Sequence, residues 1–202
     1  MKEFARHLSG FRIFLGSRSP RRQALLTDAG IPYQLWLKEE IPEVIPDGML
    51  PAEAAVYLAR LKAESYKAEL QKDDILITAD TFVVLNGKIL GKPVDFEDAV
   101  GILTSLSGNP HEVITGVCLT SPDQETTFTA HTTVWFDHLT EAEIREYVSE
   151  FGPFDKAGAY GIQEWIGYIG IHRIEGSYFN VMGLPVQRLY RELQRFTGFD
   201  KH

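Results

Sequence analysis

The 202-residue sequence contains a single cysteine, Cys118, so an internal disulfide is excluded, and its place in an apolar run predicts a buried, inert thiol. Long apolar runs are also missing. Stretches such as Val83 to Leu85 are a few residues long, far short of the roughly 20 that a spanning helix needs. Met1 to Gly10 carries Lys2, Glu3, Arg6 and His7 without an apolar core or a small-residue cleavage site. It therefore does not read as a signal peptide, and a cytoplasmic location is the expectation. Positive charge is scarce, with 20 Lys and Arg against 28 Asp and Glu and a formal net charge of -8. That balance argues against a polynucleotide as main partner, because nucleic-acid binders need a basic face to displace counterions. A small anionic substrate stays possible if a few basic residues converge on one cleft, since local field rather than net charge decides that. The histidines, at positions 7, 111, 131, 138, 172 and 202, show no zinc spacing, so His111 and His131 are read as structural. Neither a Walker loop nor the spaced glycines of a dinucleotide site occur.

What is present is a globular chain with 44% hydrophobic residues and no repeat or low-complexity tract. Strand and helix patterns alternate. Phe11 to Leu15 reads as a buried strand, Arg21 to Ala29 as a helix stopped by Gly30, and Pro51 to Leu70 as a long helix. Ile75 to Thr78 and Phe82 to Leu85 read as two strands, the second turning at Asn86-Gly87 into Lys88 to Leu90. Asp95 begins a helix reaching about Leu106, and Val113 to Thr120 and Thr126 to Phe136 form a candidate hairpin. Thr140 to Glu143 is a capping box for a helix ending near Phe151, before Gly152-Pro153. Tyr168 to Ile174 reads as a strand and Pro185 to Phe196 as a final helix. The predicted class is α/β with a mixed sheet, in one continuous unit.

Ser17-Arg18-Ser19-Pro20-Arg21-Arg22 joins a predicted strand to a predicted helix, with Ser19 as N-cap and Pro20 as first helical residue. Free amides, the positive end of the helix dipole, hydroxyls and arginines together would suit a phosphate. A well-capped surface helix with solvated arginines is the plainer reading. In the Pro51 to Leu70 helix, Glu53, Arg60, Glu64 and Lys67 share one face and Ala54, Ala55, Leu58 and Leu61 the other. Lys62 falls with the apolar set, so it either snorkels to the edge or meets an anion in a cleft. Asp80 is flanked by apolar runs, where an ionised carboxylate must be compensated. It is read as a solvated turn between two strands, or as a metal ligand or general base. Lys92, in Gly91-Lys92-Pro93, reads as a turn lysine or as one held near the same sheet edge. The small residues of Asp155 to Gln163, and those of Gly176 to Pro185, allow close backbone approach to a ligand or form ordinary tight loops.

Taken in order, Ser17 to Arg22, Lys62-Ala63, Ala79-Asp80-Thr81, Gly91 to Pro93, Ser107-Gly108 with His111 and Thr115-Gly116, Asp155 to Gln163 and Gly176 to Pro185 resemble the Maf family of nucleotide pyrophosphatases. The likeness runs from about Ile13 to Leu193. It implies a mixed, twisted α/β sheet with flanking helices, two lobes around a central cleft, and similarity to inosine-triphosphate pyrophosphatases. It implies hydrolysis of nucleoside triphosphates to monophosphate and pyrophosphate, a divalent cation (Mg2+ or Mn2+) and often a homodimer. By the same match Asp80 is the proton acceptor, Ser17, Arg22, Lys62 and Lys92 hold phosphates, and Arg21, Thr81 and Gln163 select the substrate. The acidic residue ahead of the lysine helix, paired with Asp80 for the metal, is Glu43 on spacing, with Glu40 the alternative. The Ala-Asp-Thr and Tyr-Gly-Ile-Gln forms resemble the branch acting on dTTP and UTP. A nucleotide-binding regulator of cell division, which senses without hydrolysing, is the competing class.

Overall fold

A computed structural model describes residues 2–39 and 41–199. Along the chain run α1 (Lys2–Leu8), β1 (Arg12–Leu15), α2 (Pro20–Asp28), β2 (Gln34–Leu35), α3 (Pro51–Lys67), β3 (Asp74–Leu85), β4 (Lys88–Leu90) and α4 (Phe96–Leu106). There follow β5 (Pro110–Thr120), β6 (Glu125–Phe136), α5 (Glu141–Phe151), α6 (Trp165–Gly170), β7 (Ile171–Glu175), α7 (Tyr178–Val181) and α8 (Val186–Phe196), with short 3-10 turns at Pro153–Asp155 and Ala157–Ala159. The seven-stranded sheet has the order β2-β1-β3-β5-β6-β7, with β4 paired to β3. β1 is parallel to β2 and β3, whereas β3–β4 and β6–β7 are antiparallel, so the mixed α/β class is as expected. The chain divides into two compact units. The first takes in the chain up to Asp80, Thr115–Ala130 and the chain from Gly183 onward; the second is Thr81–Ile114 with His131–Met182.

In the first unit α3 lies on the sheet through small residues. Ala59, Ala63, Tyr66 and Leu70 pack with Leu76 of β3 and Cys118 of β5, with Phe14 and Trp36 at the margin. Gly116 allows this approach, because a Cβ there would sit 2.2 Å from the Ala55 carbonyl carbon, closer than any rotamer change could relieve. Leu15, Leu26 and Leu58 are buried to 2% exposure or less, and each contributes about 1.5–3 kcal/mol relative to an exposed side chain. Cys118 is buried as expected, and that burial pushes its thiol up to about 11.

The core of the second unit is aromatic and branched. Val83, Leu103, Leu106, Val113, Val134, Phe136, Ile144, Tyr147, Tyr160 and Ile162 belong to one buried cluster. The Asn86-Gly87 turn has φ of 50° and 78°, the pair of positive angles a two-residue hairpin requires, and it closes β3 on β4 as predicted. The Thr140 capping box forms in full, with Glu143 N–H donating to the Thr140 hydroxyl at 3.3 Å and Thr140 N–H to the Glu143 carboxylate at 2.7 Å. His111 is buried, with Nε2 2.8 Å from the Tyr160 hydroxyl. Burial lowers its pKa to about 4, so it is a neutral structural histidine.

Several sequence-based expectations need correction. Ile75 to Leu85 is one strand and not two, since β3 runs unbroken through Asp80. Asp80 therefore lies mid-strand, and the solvated-turn reading fails because a partner, not water, compensates its charge. Tyr168 to Ile174 is not a strand: α6 occupies 165–170 and β7 begins at Ile171. Two glycines, Gly167 and Gly170, had weakened the helical pattern there. The long helix ends at Lys67 rather than Leu70, and Leu61, expected inward with Leu58, is only half-buried. Helix α1 was not foreseen.

Candidate functional site

The strand–turn–helix β1–α2 is built by backbone bonds and by its cap. Gly16 N–H donates to Ile77 O at 2.9 Å, carrying the parallel pairing just past β1. Ser19 is the N-cap, its hydroxyl accepting from Arg22 N–H at 3.4 Å, and Pro20 opens the helix with the φ it already prefers. The Arg22 side chain folds back over the turn. Its Nη1 donates to Ser17 Oγ at 3.2 Å and to Ala79 O at 2.9 Å, and its Nε donates to Gly183 O at 2.8 Å. One guanidinium thus ties together the turn after β1, the residue preceding Asp80 and Gly183. Arg22 is half-buried, and that burial, partly offset by Asp80, lowers its pKa below the usual guanidinium value. Arg21 lies close enough to lower it further by like charge. The plainer reading of a surface helix with solvated arginines does not hold for Arg22.

Lys62 meets anions rather than snorkelling. Its Nζ is 2.5 Å from Asp80 Oδ1 and 2.9 Å from Glu43 Oε1, with side-chain exposures of 20% for Lys62 and 13% for Asp80. Two carboxylates therefore converge on one ammonium, which is the compensation that an aspartate inside a buried strand demands. Thr78 fixes the register beneath it, donating its hydroxyl to Ala59 O at 2.7 Å and tying β3 to α3 one turn from Lys62. The segment leading toward Glu43 departs from a latch on α3. Tyr66 donates its hydroxyl to Trp36 O at 3.0 Å and accepts from Lys38 N–H at 3.2 Å, and the Trp36 and Tyr66 rings meet edge to face. Glu40, the alternative to Glu43, lies outside the described residues. Among the described residues, no three or more His, Cys, Asp or Glu side chains group as metal ligands.

The second unit carries Thr81, Lys92 and Gln163. Thr81 is half-buried on β3, and Lys92 is exposed just beyond β4. Gly158 N–H donates to Gly91 O at 3.1 Å, which draws the backbone beside Lys92 to the 155–163 segment. Gln163 sits in a turn closed by Glu164 N–H donating to Gly161 O at 2.9 Å. Its amide oxygen is buried and has no hydrogen-bond partner among the described residues, one of the few buried polar atoms left so there. Sequence reasoning passed over three charged or polar neighbours of this turn, Tyr147, Lys156 and Glu164. Lys156 is buried, with Nζ 2.8 Å from Asp155 Oδ1 and 3.2 Å from Glu164 Oε1. A lysine inside a stretch of small residues was the available signal.

The family model described as Maf-like protein matches residues 12–196. The chain belongs to this family. Three Maf-like relatives are each named dTTP/UTP pyrophosphatase. The one from Bacteroides thetaiotaomicron is 49% identical over 189 residues, covering 94% of this chain and 98% of its own. That from Porphyromonas gingivalis is 48% identical over 192 residues, with 94% and 96% covered. That from Christiangramia forsetii is 47% identical over 191 residues, with 95% and 97% covered. A solved structure named a nucleoside-triphosphatase / dITP/XTP pyrophosphatase, from Mycobacterium abscessus, aligns over 93% of this chain and 97% of its own at 15% identity and a TM-score of 0.43, too distant to bear on this Maf-like protein's chemistry. No helix among the described residues is long and apolar enough to cross a membrane.

Proposed function

We propose that this protein hydrolyses nucleoside triphosphates, dTTP and UTP before others, to the nucleoside monophosphate and pyrophosphate. The observation that carries the proposal is Lys62 held between Asp80 and Glu43 in the first unit, in a chain nearly half identical to relatives named for that reaction. Water attacks the α-phosphorus, the bond from that phosphorus to the bridging oxygen breaks, and pyrophosphate leaves. Asp80 takes the proton of the attacking water. Lys62, mobile on its four-carbon stem, exchanges a carboxylate partner for phosphate oxygen, while Ser17, Arg21, Arg22 and Lys92 supply donors to the triphosphate. Arg22 does so from a fixed position, since two backbone carbonyls already hold it.

The donor set fits a hard divalent cation. Asp80 and Glu43 both turn an oxygen toward the Lys62 ammonium, and once that ammonium moves to phosphate the two carboxylates, completed by phosphate oxygens, would suit Mg2+ or Mn2+. Such an ion would neutralise charge developing on the phosphates. Gln163, with Thr81 and Arg21, selects the base. The open amide oxygen accepts from the N3–H of uracil or thymine and the amide NH2 donates to O4, a pattern that cytosine reverses. A homodimer and a cytoplasmic location belong to the same proposal on the family resemblance. The test is a panel of nucleoside triphosphates with separate detection of pyrophosphate and orthophosphate. Pyrophosphate released fastest from dTTP and UTP is expected; orthophosphate as product, a preferred purine, or binding without turnover would each overturn the reading.

A further inference from the structure

The turn bearing Gln163 is closed by a buried side-chain brace. Gly161 and Glu164 are its ends, joined by the backbone bond between them, and Ile162 and Gln163 are its central residues. Ile162 is 5% exposed and packed into the core, so of the two central side chains only Gln163 is left to meet a ligand. The Tyr147 hydroxyl, projecting from α5, accepts from Gly161 N–H at 3.0 Å and donates to Glu164 Oε2, bonding both ends of the turn at once. Lys156 Nζ holds the other carboxylate oxygen, Glu164 Oε1, at 3.2 Å and is itself anchored to Asp155. Both oxygens of Glu164 are thereby fixed and the carboxylate cannot rotate. Gly161 leaves room for it, since a Cβ there would lie 2.6 Å from the Glu164 carboxyl carbon.

We infer that Tyr147, Glu164 and Lys156 are positioning residues that hold the Gln163 turn rigid, so that its amide discriminates between pyrimidine bases. The inference rests on the role given to Gln163 above. Discrimination by an amide requires that the wrong base leave polar groups unpaired, and a turn free to rock would let the amide follow either pattern. Tyr147 can lose its hydroxyl without losing its ring, which stacks on Phe151 with centroids 5.1 Å apart. None of the three side chains is placed at the reacting phosphate, so their effect falls on selection and KM rather than on kcat.

The test compares kcat/KM for UTP and CTP, and amide exchange at residues 161–164, in wild type, Tyr147→Phe, Glu164→Gln and Val148→Ala. In Tyr147→Phe the UTP-to-CTP ratio is expected to fall about tenfold, mainly through KM for UTP, with kcat for UTP held within about threefold. Exchange at Gly161 should quicken about tenfold or more. Glu164→Gln, which still accepts from Lys156 and still meets the Tyr147 hydroxyl, should fall between the two. Val148→Ala opens a cavity in the same core from the same helix, and should lower stability without moving the ratio. An unchanged ratio or unchanged Gly161 exchange in Tyr147→Phe overturns the brace, as does an equal loss of selection in Val148→Ala. A wild type that releases no pyrophosphate or does not prefer UTP overturns the proposed function instead, and Gly161 exchange then judges the brace on its own.

Discussion

The two units assemble their chemistry in opposite ways. In the first, Ser17, Arg22, Glu43, Lys62 and Asp80 come from four separate parts of the chain, and each charge is held by a partner distant in sequence. In the second, the open acceptor of Gln163 stands in one short stretch, 155–164, whose shape is closed mostly by its own backbone and by one tyrosine. The difference follows from what each must hold. Buried ions are stable only where opposite charges or carbonyls converge, and convergence calls on several elements. A neutral amide needs only a fixed mount, which a braced turn provides. Charge gathered from afar suits phosphate and proton transfer, whereas a local mount suits recognition of a base edge.

The sharpest way to break this contrast is to remove charge without changing shape. Asp80→Asn should keep the fold and nucleotide binding and lose turnover by about a thousandfold, within the range for loss of a general base. Binding by calorimetry with single-turnover kinetics on the same protein measures both. A variant keeping more than about a tenth of the wild-type rate would remove Asp80 from the reacting centre and leave the first unit a binding surface only.

A smaller effect separates the units by pH. His111 is neutral in the folded second unit, its pKa lowered by burial from 6.5 to about 4. As pH falls through that window the unfolded chain takes a proton that the folded chain refuses, so stability falls between about 6.5 and 4 and levels off below. The loss is at most about 3 kcal/mol for this group. Urea unfolding at pH 7 and pH 4.5 should show a flatter dependence in His111→Gln than in wild type. Equal slopes would mean that the acid sensitivity resides in groups other than His111.

The smallest effect expected is on selection alone. Gln163→Glu replaces the donor to O4 with a carboxylate, and the ratio of kcat/KM for UTP over CTP should drop by about tenfold. Gln163→Ala serves as the measure of simple lost contact. A ratio unchanged in the Glu variant would transfer selection to backbone groups of the turn and weaken the division of labour between the units.

Much of this was legible in the sequence where the signal is local. The Ser19-Pro20 helix start, the Thr140 capping box and the Asn86-Gly87 turn each formed as predicted, because cap and turn chemistry depend on residues a few positions apart. Asp80 stood out because a carboxylate between apolar runs demands compensation. What compensates it did not follow from spacing: Lys62 could equally have snorkelled, and only the seating of α3 on β3, which Gly116 and Thr78 permit, brings the ammonium to Asp80. The glycine-bearing segment 165–170 misled for the converse reason, its weak helical pattern being overridden by packing of Ile166 into the core. Sequence alone determined the α/β class, the caps and turns, and which residues carry unusual burdens of charge or small size. Tertiary structure alone decided that Arg22 is braced by carbonyls of two segments, that Lys62 rests between two carboxylates, and that Tyr147 closes the turn of Gln163. Capping and turn formation are settled within a few residues of chain, whereas a buried charge or an orphaned acceptor is settled only by whatever distant group the fold delivers to it.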